Sequence, residues 1–462
     1  MGCSVSNNDK IIQVNLHRLK VETITNYLWL EYLTQCSQND QIRQEMTKKE
    51  VVINEKTILF HYVIKGDKPE LGYPLFIFLH NGEIGEHGHN TIEYLKMQTR
   101  YNKSIQTGIL LTMRGTNDLS NMHESNEALT FIDHIIKNMI SYCNADANKV
   151  YLLGVGLGGN AVFKIASKLT DRFAAICVIS GHSYGNSLKN LIDLPMMIQV
   201  GELDYAYDRN KNAVKVYQKM KDYYALYKNK NGECKVYIHV GKDVAIRDNK
   251  KDNKPQKVII DPESWLVNQT GESQMINTNS IVFLSRFIRN PLPVKLIWEI
   301  GKNSLIAMKE THKEKKIPGV IKKEQESVNS GAGTAASFNI YKKTETMVQS
   351  QHFYWLEISN RKQEEIGNIE IRAEYNRIQN LISLEGQLKY IVILLNDEMV
   401  DFSKEVKFKY KDVVKTLLLV RNSRTEKRTL IERGDINYIF SVAVEFESTD
   451  MEKFTVTPYD EV

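Results

Sequence analysis

The sequence predicts an α/β protein: a mostly parallel sheet with flanking helices, followed by a β-sandwich-like module. Three observations carry this expectation. Continuous apolar runs such as Tyr73-Pro-Leu-Phe-Ile-Phe-Leu-His80 have the composition of strands buried on both faces. Segments of helical period lie between most of them, as in 125–142, where Leu129, Ile132, Ile135, Ile136, Met139 and Ile140 share one side. Beyond residue 352 the helical period disappears, and short alternating stretches separated by polar turns take over.

In chain order, residues 15–50 form an N-terminal helical segment, with a rough apolar stripe through Leu16, Leu19, Ile24, Tyr27, Leu28 and Leu30. Strands follow at Val51–Ile53, Thr57–Ile64, Tyr73–His80 and Thr107–Met113, and then at Val150–Val155, Ala174–Ser180, Met196–Val200 and Val236–Val240. Strands alternating with helices imply parallel crossovers, which places this first domain at 51–308. Lys309–Met347 is dense in Lys and Glu, contains Ser330-Gly-Ala-Gly-Thr-Ala-Ala-Ser337, and reads as a solvated linker, 309–347. The β-rich module spans 348–462, with strands expected at His352–Ile358, Asn368–Ala373, Tyr390–Leu395, Thr416–Val420 and Tyr438–Val444.

Composition narrows the function. The 462 residues are 42% hydrophobic and 25% charged, ordinary for a globular protein. A net charge of +5 from 61 basic and 56 acidic side chains gives no reason to expect nucleic-acid binding. Five cysteines with no C-x-x-C pair argue against a disulfide framework or a zinc site, so no metal or other cofactor is expected. No run of about 18 apolar residues suggests a membrane span. Residues 1–14 form a tail beginning Met1-Gly-Cys-Ser-Val-Ser6. It fits the N-myristoylation pattern at Gly2, with Cys3 placed for palmitoylation, and predicts a cytoplasmic protein held peripherally on a membrane through its acyl chains.

The most informative stretch is Val150-Tyr-Leu-Leu-Gly-Val-Gly-Leu-Gly-Gly159. Gly154, Gly156 and Gly159 fit a dinucleotide loop, G-x-G-x-x-G. Such a loop should follow the first strand and have an acidic residue at the tip of the next. Here several strands precede it, and the next strand ends Ile179-Ser-Gly-His182. Gly154, Gly156 and Gly158 alternatively fit the nucleophile elbow G-x-S-x-G, with Gly156 in place of the serine.

Asn144–Gly159 together with Asp171–Gly181 resembles the central strand, elbow helix and next strand of α/β-hydrolases, in particular the dienelactone-hydrolase and feruloyl-esterase-like branch. Leu79-His-Asn-Gly82 resembles the oxyanion turn of that branch, which assigns His80, Asn81 and Gly82 to it. Leu194–Asp204 resembles the strand that delivers the triad acid, which assigns Asp204. Arg289-Asn-Pro-Leu-Pro293, Trp298, Tyr354-Trp-Leu356, Leu394–Asp401 and Glu432-Arg-Gly-Asp435 resemble the small β-module that trails some of these hydrolases. The resemblance covers about 55–445 apart from the linker. It implies an α/β-hydrolase-like sheet whose triad is degenerate.

Glycine at 156 has no atom able to attack a carbonyl. The turn after Val236–Val240, Gly241-Lys-Asp-Val-Ala245, has no histidine, and His239 falls inside the strand. Asp204 alone does not make a triad and reads as a vestigial acid in a turn. Other groups are weaker substitutes. Cys177 is mid-strand and Ser180 and His182 are two apart on one strand end. His80, His87 and His89 have no further ligand group nearby. The expectation is therefore a catalytically inactive scaffold or binding protein with unidentified protein partners. Two other readings stay open from sequence: a structural subunit of a large cytoskeletal or axonemal assembly, which would place it in a cilium or the cytoskeleton, and an active esterase with a displaced catalytic set.

Overall fold

The computed structural model describes residues 18–229, 232–244, 246, 257–259, 273–275, 280–301, 352–358, 369–386, 390–419, 433–438, 442–448 and 453–458. The acyl-site residues Gly2 and Cys3 and the linker 309–347 lie outside these.

Two helices open the described chain, α1 (Arg18–Gln38) and α2 (Asp40–Lys48), followed by the hairpin β1 (Glu50–Ile53) and β2 (Lys56–Lys65). The alternating part is β3 (Tyr73–Leu79), α3 (His87–Arg100), β4 (Gly108–Met113), α4 (Asn126–Cys143), β5 (Ala145–Val155), α5 (Leu157–Lys168), β6 (Ala175–Ile179), β7 (Met196–Gly201), α6 (Arg209–Leu226) and β8 (Cys234–His239). Short strands β9 (Lys257–Ile259) and β10 (Ser273–Met275) and the helix α7 (Ser280–Leu284) complete it. The sheet order is β1-β2-β4-β3-β5-β6-β7-β8-β9-β10, and every pairing from β4 through β8 is parallel.

The apolar runs of the central strands are explained by their two-sided burial. Leu75, Ile77 and Leu79 of β3 enter a core shared with α4, α5 and α6, whereas Phe76 and Phe78 enter a second core shared with α3 and α7. β5 divides the same way, with Val150 and Leu152 on one side and Tyr151, Leu153 and Val155 on the other. A strand with side-chain period 2 and no solvent face is therefore mostly apolar, and a polar residue in it, such as Gln199 of β7, must find a buried partner. α4 starts where the Ser125 side chain accepts from Ala128 N–H and stops at Asn144, which takes the left-handed conformation (φ 56°).

The β-module holds two five-stranded sheets around one core. One has β11 (Lys295–Ile300), β14 (Ile369–Asn376), β15 (Leu381–Gly386), β17 (Val406–Tyr410) and β18 (Val413–Leu417). The other has β12 (His352–Phe353), β13 (Leu356–Glu357), β16 (Tyr390–Leu395), β19 (Val442–Ser448) and β20 (Phe454–Pro458). Three expectations need correction here. Lys295–Ile300 pairs with Ile369–Asn376, so the module takes its first strand from the segment that the sequence assigned to the α/β domain. The expected strand His352–Ile358 is a tight hairpin turned at Tyr354 (φ 56°) and Trp355. Tyr438 ends a short 3-10 turn, and the strand starts at Val442.

Where module and sheet meet, the segments carrying the sequence resemblance converge in a buried ion network. Arg433 pairs with Asp171 and donates to Tyr354 O (2.8 Å), and Arg172 donates to Arg433 O (2.7 Å). Arg289 bonds Asp435 Oδ2 (2.6 Å), Asp171 O (2.6 Å) and Asn148 Oδ1 (2.9 Å). Burial raises the Asp435 carboxyl, but Arg289 and Arg172 outweigh it and hold it below the usual range. Removing one partner from such a buried pair costs about 3–5 kcal/mol, because the other charge is left unpaired. We therefore expect trypsin to cut first within Lys309–Met347, as the lysine-rich sequence indicates, and the two fragments to co-elute on gel filtration without denaturant. Asp435→Ala should lower the melting temperature by several degrees; separate elution of the wild-type fragments would show that the network does not hold the module.

Candidate functional site

The end of β5 positions the site. Gly156, between β5 and α5, has φ 57° and ψ −116°, and its N–H donates to Ile179 O (2.9 Å). A side-chain-bearing residue is strained in that region by about 1–3 kcal/mol, whereas glycine adopts it without a Cβ clash. Gly158 has a different reason to be glycine: a Cβ there would overlap the carbonyl of Leu79, so the first turn of α5 lies directly against the end of β3.

Past β3 come His80, Asn81 and Gly82, the turn expected to supply an oxyanion hole. Asn81 Oδ1 accepts a hydrogen bond from Leu157 N–H at 3.2 Å. Leu157 N–H belongs to the residue after the elbow position, the backbone donor that an elbow enzyme aims at a developing oxyanion. The same Oδ1 overlaps the place a Cβ on Gly156 would occupy. Asn81 thus fills the nucleophile's space and takes the oxyanion donor at once. His80 is buried and fixed: its Nε2 accepts from Gly115 N–H (3.1 Å) and its Nδ1 lies 2.5 Å from Asn81 O, so the proton is on Nδ1. Burial lowers its pKa to about 4 against the opposing Asn81 hydrogen bond.

β7 then delivers Asp204, fully buried, and β8 ends at His239. A sheet ordered β1-β2-β4-β3-β5-β6-β7-β8, antiparallel at β2, with a left-handed elbow after β5 and an acid after β7, decides the architecture. The chain has the α/β-hydrolase fold.

No protein-family model and no curated protein matches the chain. Solved structures do. A thermostable esterase is 19% identical, with a TM-score of 0.37 over 52% of this chain and 62% of that one, so the chain spans about three fifths of that esterase. LpqC, a poly(3-hydroxybutyrate) depolymerase from Bordetella parapertussis, is 12% identical (TM-score 0.36, 53% of this chain, 97% of that one). An S-formylglutathione hydrolase from Agrobacterium tumefaciens is 11% identical (TM-score 0.32, 42% and 87%).

The remaining positions of a hydrolase triad are occupied by other chemistry. The turn after β8 holds Gly241, Lys242, Asp243 and Val244, with no histidine. His239 stays in its strand, with Nε2 3.0 Å from Gln199 Oε1. Asp204 Oδ1 lies 3.4 Å from Arg209 Nη1, and its Oδ2 has no hydrogen-bond partner. Burial raises the Asp204 carboxyl, with Arg209 opposing. Ser180 Oγ donates to Val244 O and makes no bond to His182, whose Nδ1 instead accepts from Tyr184 N–H (2.9 Å). The Cys177 thiol is pushed up to about 12 by burial and is inert. His87 pairs with Asp118 (2.7 Å) on the surface, and no group of three metal-ligating side chains occurs among the described residues.

Sequence reasoning missed Glu124, Arg209 and Tyr184. Glu124 sits just before α4, with only 2% of its surface exposed, Oε2 unpartnered, and Lys164 Nζ on its backbone carbonyl. Its pKa is raised to about 7 by burial, with Lys164 opposing. No motif marks it, since its neutrality depends on packing from other elements.

Two outcomes are expected. Gly156→Ser should lower stability by about 1 kcal/mol or more, because φ is positive and Asn81 must leave Leu157 N–H, and should yield no esterase, since the turn after β8 carries no histidine to activate the serine. An unchanged or raised melting temperature would contradict this geometry. For Glu124, a folded pKa above the unfolded value of about 4.3 means the stabilising contribution is present below that value and lost as pH rises through 7. Glu124→Gln should therefore gain up to about 3 kcal/mol relative to wild type on going from pH 5 to pH 8; parallel pH–stability curves would exclude the assignment.

Proposed function

We propose that the protein is a catalytically inactive α/β-hydrolase-fold protein that acts by binding, held on a cytoplasmic membrane face by acyl chains on Gly2 and Cys3. The observation that carries the first half is the Asn81–Leu157 hydrogen bond. A hydrolase of this fold requires a nucleophile at the elbow, a base to activate it and a free oxyanion donor. Gly156 supplies no nucleophile, the turn after β8 supplies no base, and Asn81 occupies the donor. Such a scaffold keeps its shape at little cost, because glycine removes the elbow's strain.

The second half rests on the sequence Met1-Gly-Cys-Ser-Val-Ser6. One myristoyl chain binds membranes reversibly, and a second chain on Cys3 makes attachment stable.

The test has two arms. The purified protein should not hydrolyse p-nitrophenyl acyl esters above a Gly156→Ala control, and a fluorophosphonate should label no single serine. Labelling would favour an active esterase with a displaced catalytic set. On fractionation, Gly2→Ala should move wholly to the soluble fraction and Cys3→Ser should bind weakly and reversibly. If Gly2→Ala fractionates like wild type, protein contacts hold it, as expected for a subunit of a cytoskeletal or axonemal assembly.

A further inference from the structure

α1 (Arg18–Gln38) is the described element nearest in sequence to the acyl-chain sites. Its inner side holds it to the body. Leu28 and Cys36 are buried, Trp29 stacks on Tyr32 at 5.5 Å, and both rings pack around Leu28 beside Ile436. The helix also lies against α4. Its outer side has the same period: Thr23, Tyr27, Leu30, Thr34 and Gln38, spaced four, three, four and four residues apart, form one exposed stripe. No residue of that stripe is charged, whereas about a quarter to a third of an ordinary surface is. Glu31 borders it. Tyr27 is 67% exposed and Leu30 63%, one turn apart.

An exposed apolar pair is ordinary on a protein surface by itself. The chain that leads into this helix is what gives the pair a role. From Cys3 to Arg18 the backbone can span at most about 50 Å when fully extended. Acyl chains on Gly2 and Cys3 therefore keep the start of α1 within that reach of the bilayer. The intervening segment carries Ile11, Ile12, Val14 and Leu16 with a single acidic residue, Asp9. A charged partner would find no complementary charge on the stripe, whereas tyrosine and leucine side by side match the headgroup–acyl boundary of a membrane.

We propose that the outer stripe of α1 lies on the lipid bilayer, with Tyr27 at headgroup level and Leu30 against the upper acyl carbons. The helix is then a second membrane contact built into the fold. The inference rests on the acyl-anchor reading. One myristoyl chain binds marginally, and stable attachment takes a second signal. A tethered contact acts at an effective concentration on the order of millimolar. A face too weak to hold the free protein therefore still adds to a chain that already holds its end.

The test uses full-length Cys3→Ser protein, myristoylated in bacteria by a co-expressed N-myristoyltransferase, with the single chain confirmed by intact mass. Its partition onto phosphatidylcholine vesicles should fall at least about tenfold on combining Tyr27→Glu with Leu30→Glu. The melting temperature should not change, because both side chains are exposed. Val414→Glu, at an exposed apolar site of the β-module, should partition like its parent. Leu30→Cys, labelled with an environment-sensitive fluorophore while the native cysteines 36, 143, 177 and 234 are buried, should shift its emission to the blue on vesicles. This second readout stands even if the double variant folds poorly. Unchanged partition of the double variant, an equal loss with Val414→Glu, or an unshifted emission would each overturn the inference. So would a dimer in vesicle-free solution that Leu30→Glu dissociates, since a second copy would then cover the stripe. A myristoylated parent that does not partition at all refutes the acyl-anchor reading and this inference with it. A parent that partitions equally well with glutamate at both positions refutes this inference alone.

Discussion

The structure depends on one buried electrostatic junction. Three guanidinium groups, Arg172, Arg289 and Arg433, meet the carboxylates of Asp133, Asp171, Glu357 and Asp435 where the α/β sheet and the β-module touch. All of these charges except the partly exposed Asp133 are removed from water, and their desolvation is offset only by close partners and further hydrogen bonds. The junction supplies them: Tyr438 Oη donates to Asp171 O (3.0 Å), and the Arg433 guanidinium lies 4.6 Å from the Tyr438 ring centre. Arg289, Tyr354 and the Arg433–Asp435 segment are far apart in sequence and are brought together only by the junction. An apolar interface of the same area would tolerate sliding. A set of directional, desolvated pairs fixes one orientation, and it does so at the amino end of β5, opposite the elbow.

The elbow is set by its own neighbours. In an active hydrolase, the strain of a left-handed nucleophile is maintained because it aims an oxygen into the cleft. Here the left-handed turn persists at Gly156 with no such atom, since β5, β6 and the packed start of α5 determine the backbone path. Asn81 satisfies the Leu157 amide at the start of α5. Buried atoms without a hydrogen-bond partner occur at Arg209, Asp204 and Glu124, which follow the carboxyl ends of β7 and β4. In open parallel sheets this edge is where ligands bind, because helix N-termini and loop side chains converge there.

Much of this protein was determined by sequence alone. The largely apolar runs of β3 to β7 declare a parallel sheet because a strand covered on both faces carries mostly apolar side chains. Gly154-Val-Gly-Leu-Gly158 declares a sharp strand–helix turn, and the missing histidine after β8 is a fact of composition. The positions of Gly156, Asp204 and the His80–Gly82 turn in the fold were legible for the same reason: each sits a fixed number of residues from a strand that the sequence marks. Tertiary structure decided the rest. That Asn81 caps Leu157 N–H joins residues 76 apart, and that Arg289 meets Asp435 joins residues 146 apart. Lys295–Ile300 belongs to the β-module because it pairs with Ile369–Asn376; the resemblance at Trp298 pointed to the module, but only the pairing places the strand in its sheet. Periodicity reports which face of an element is buried; only the folded chain shows which distant polar groups meet there, and their pairing depends on distances of a few ångströms that one-dimensional spacing does not encode.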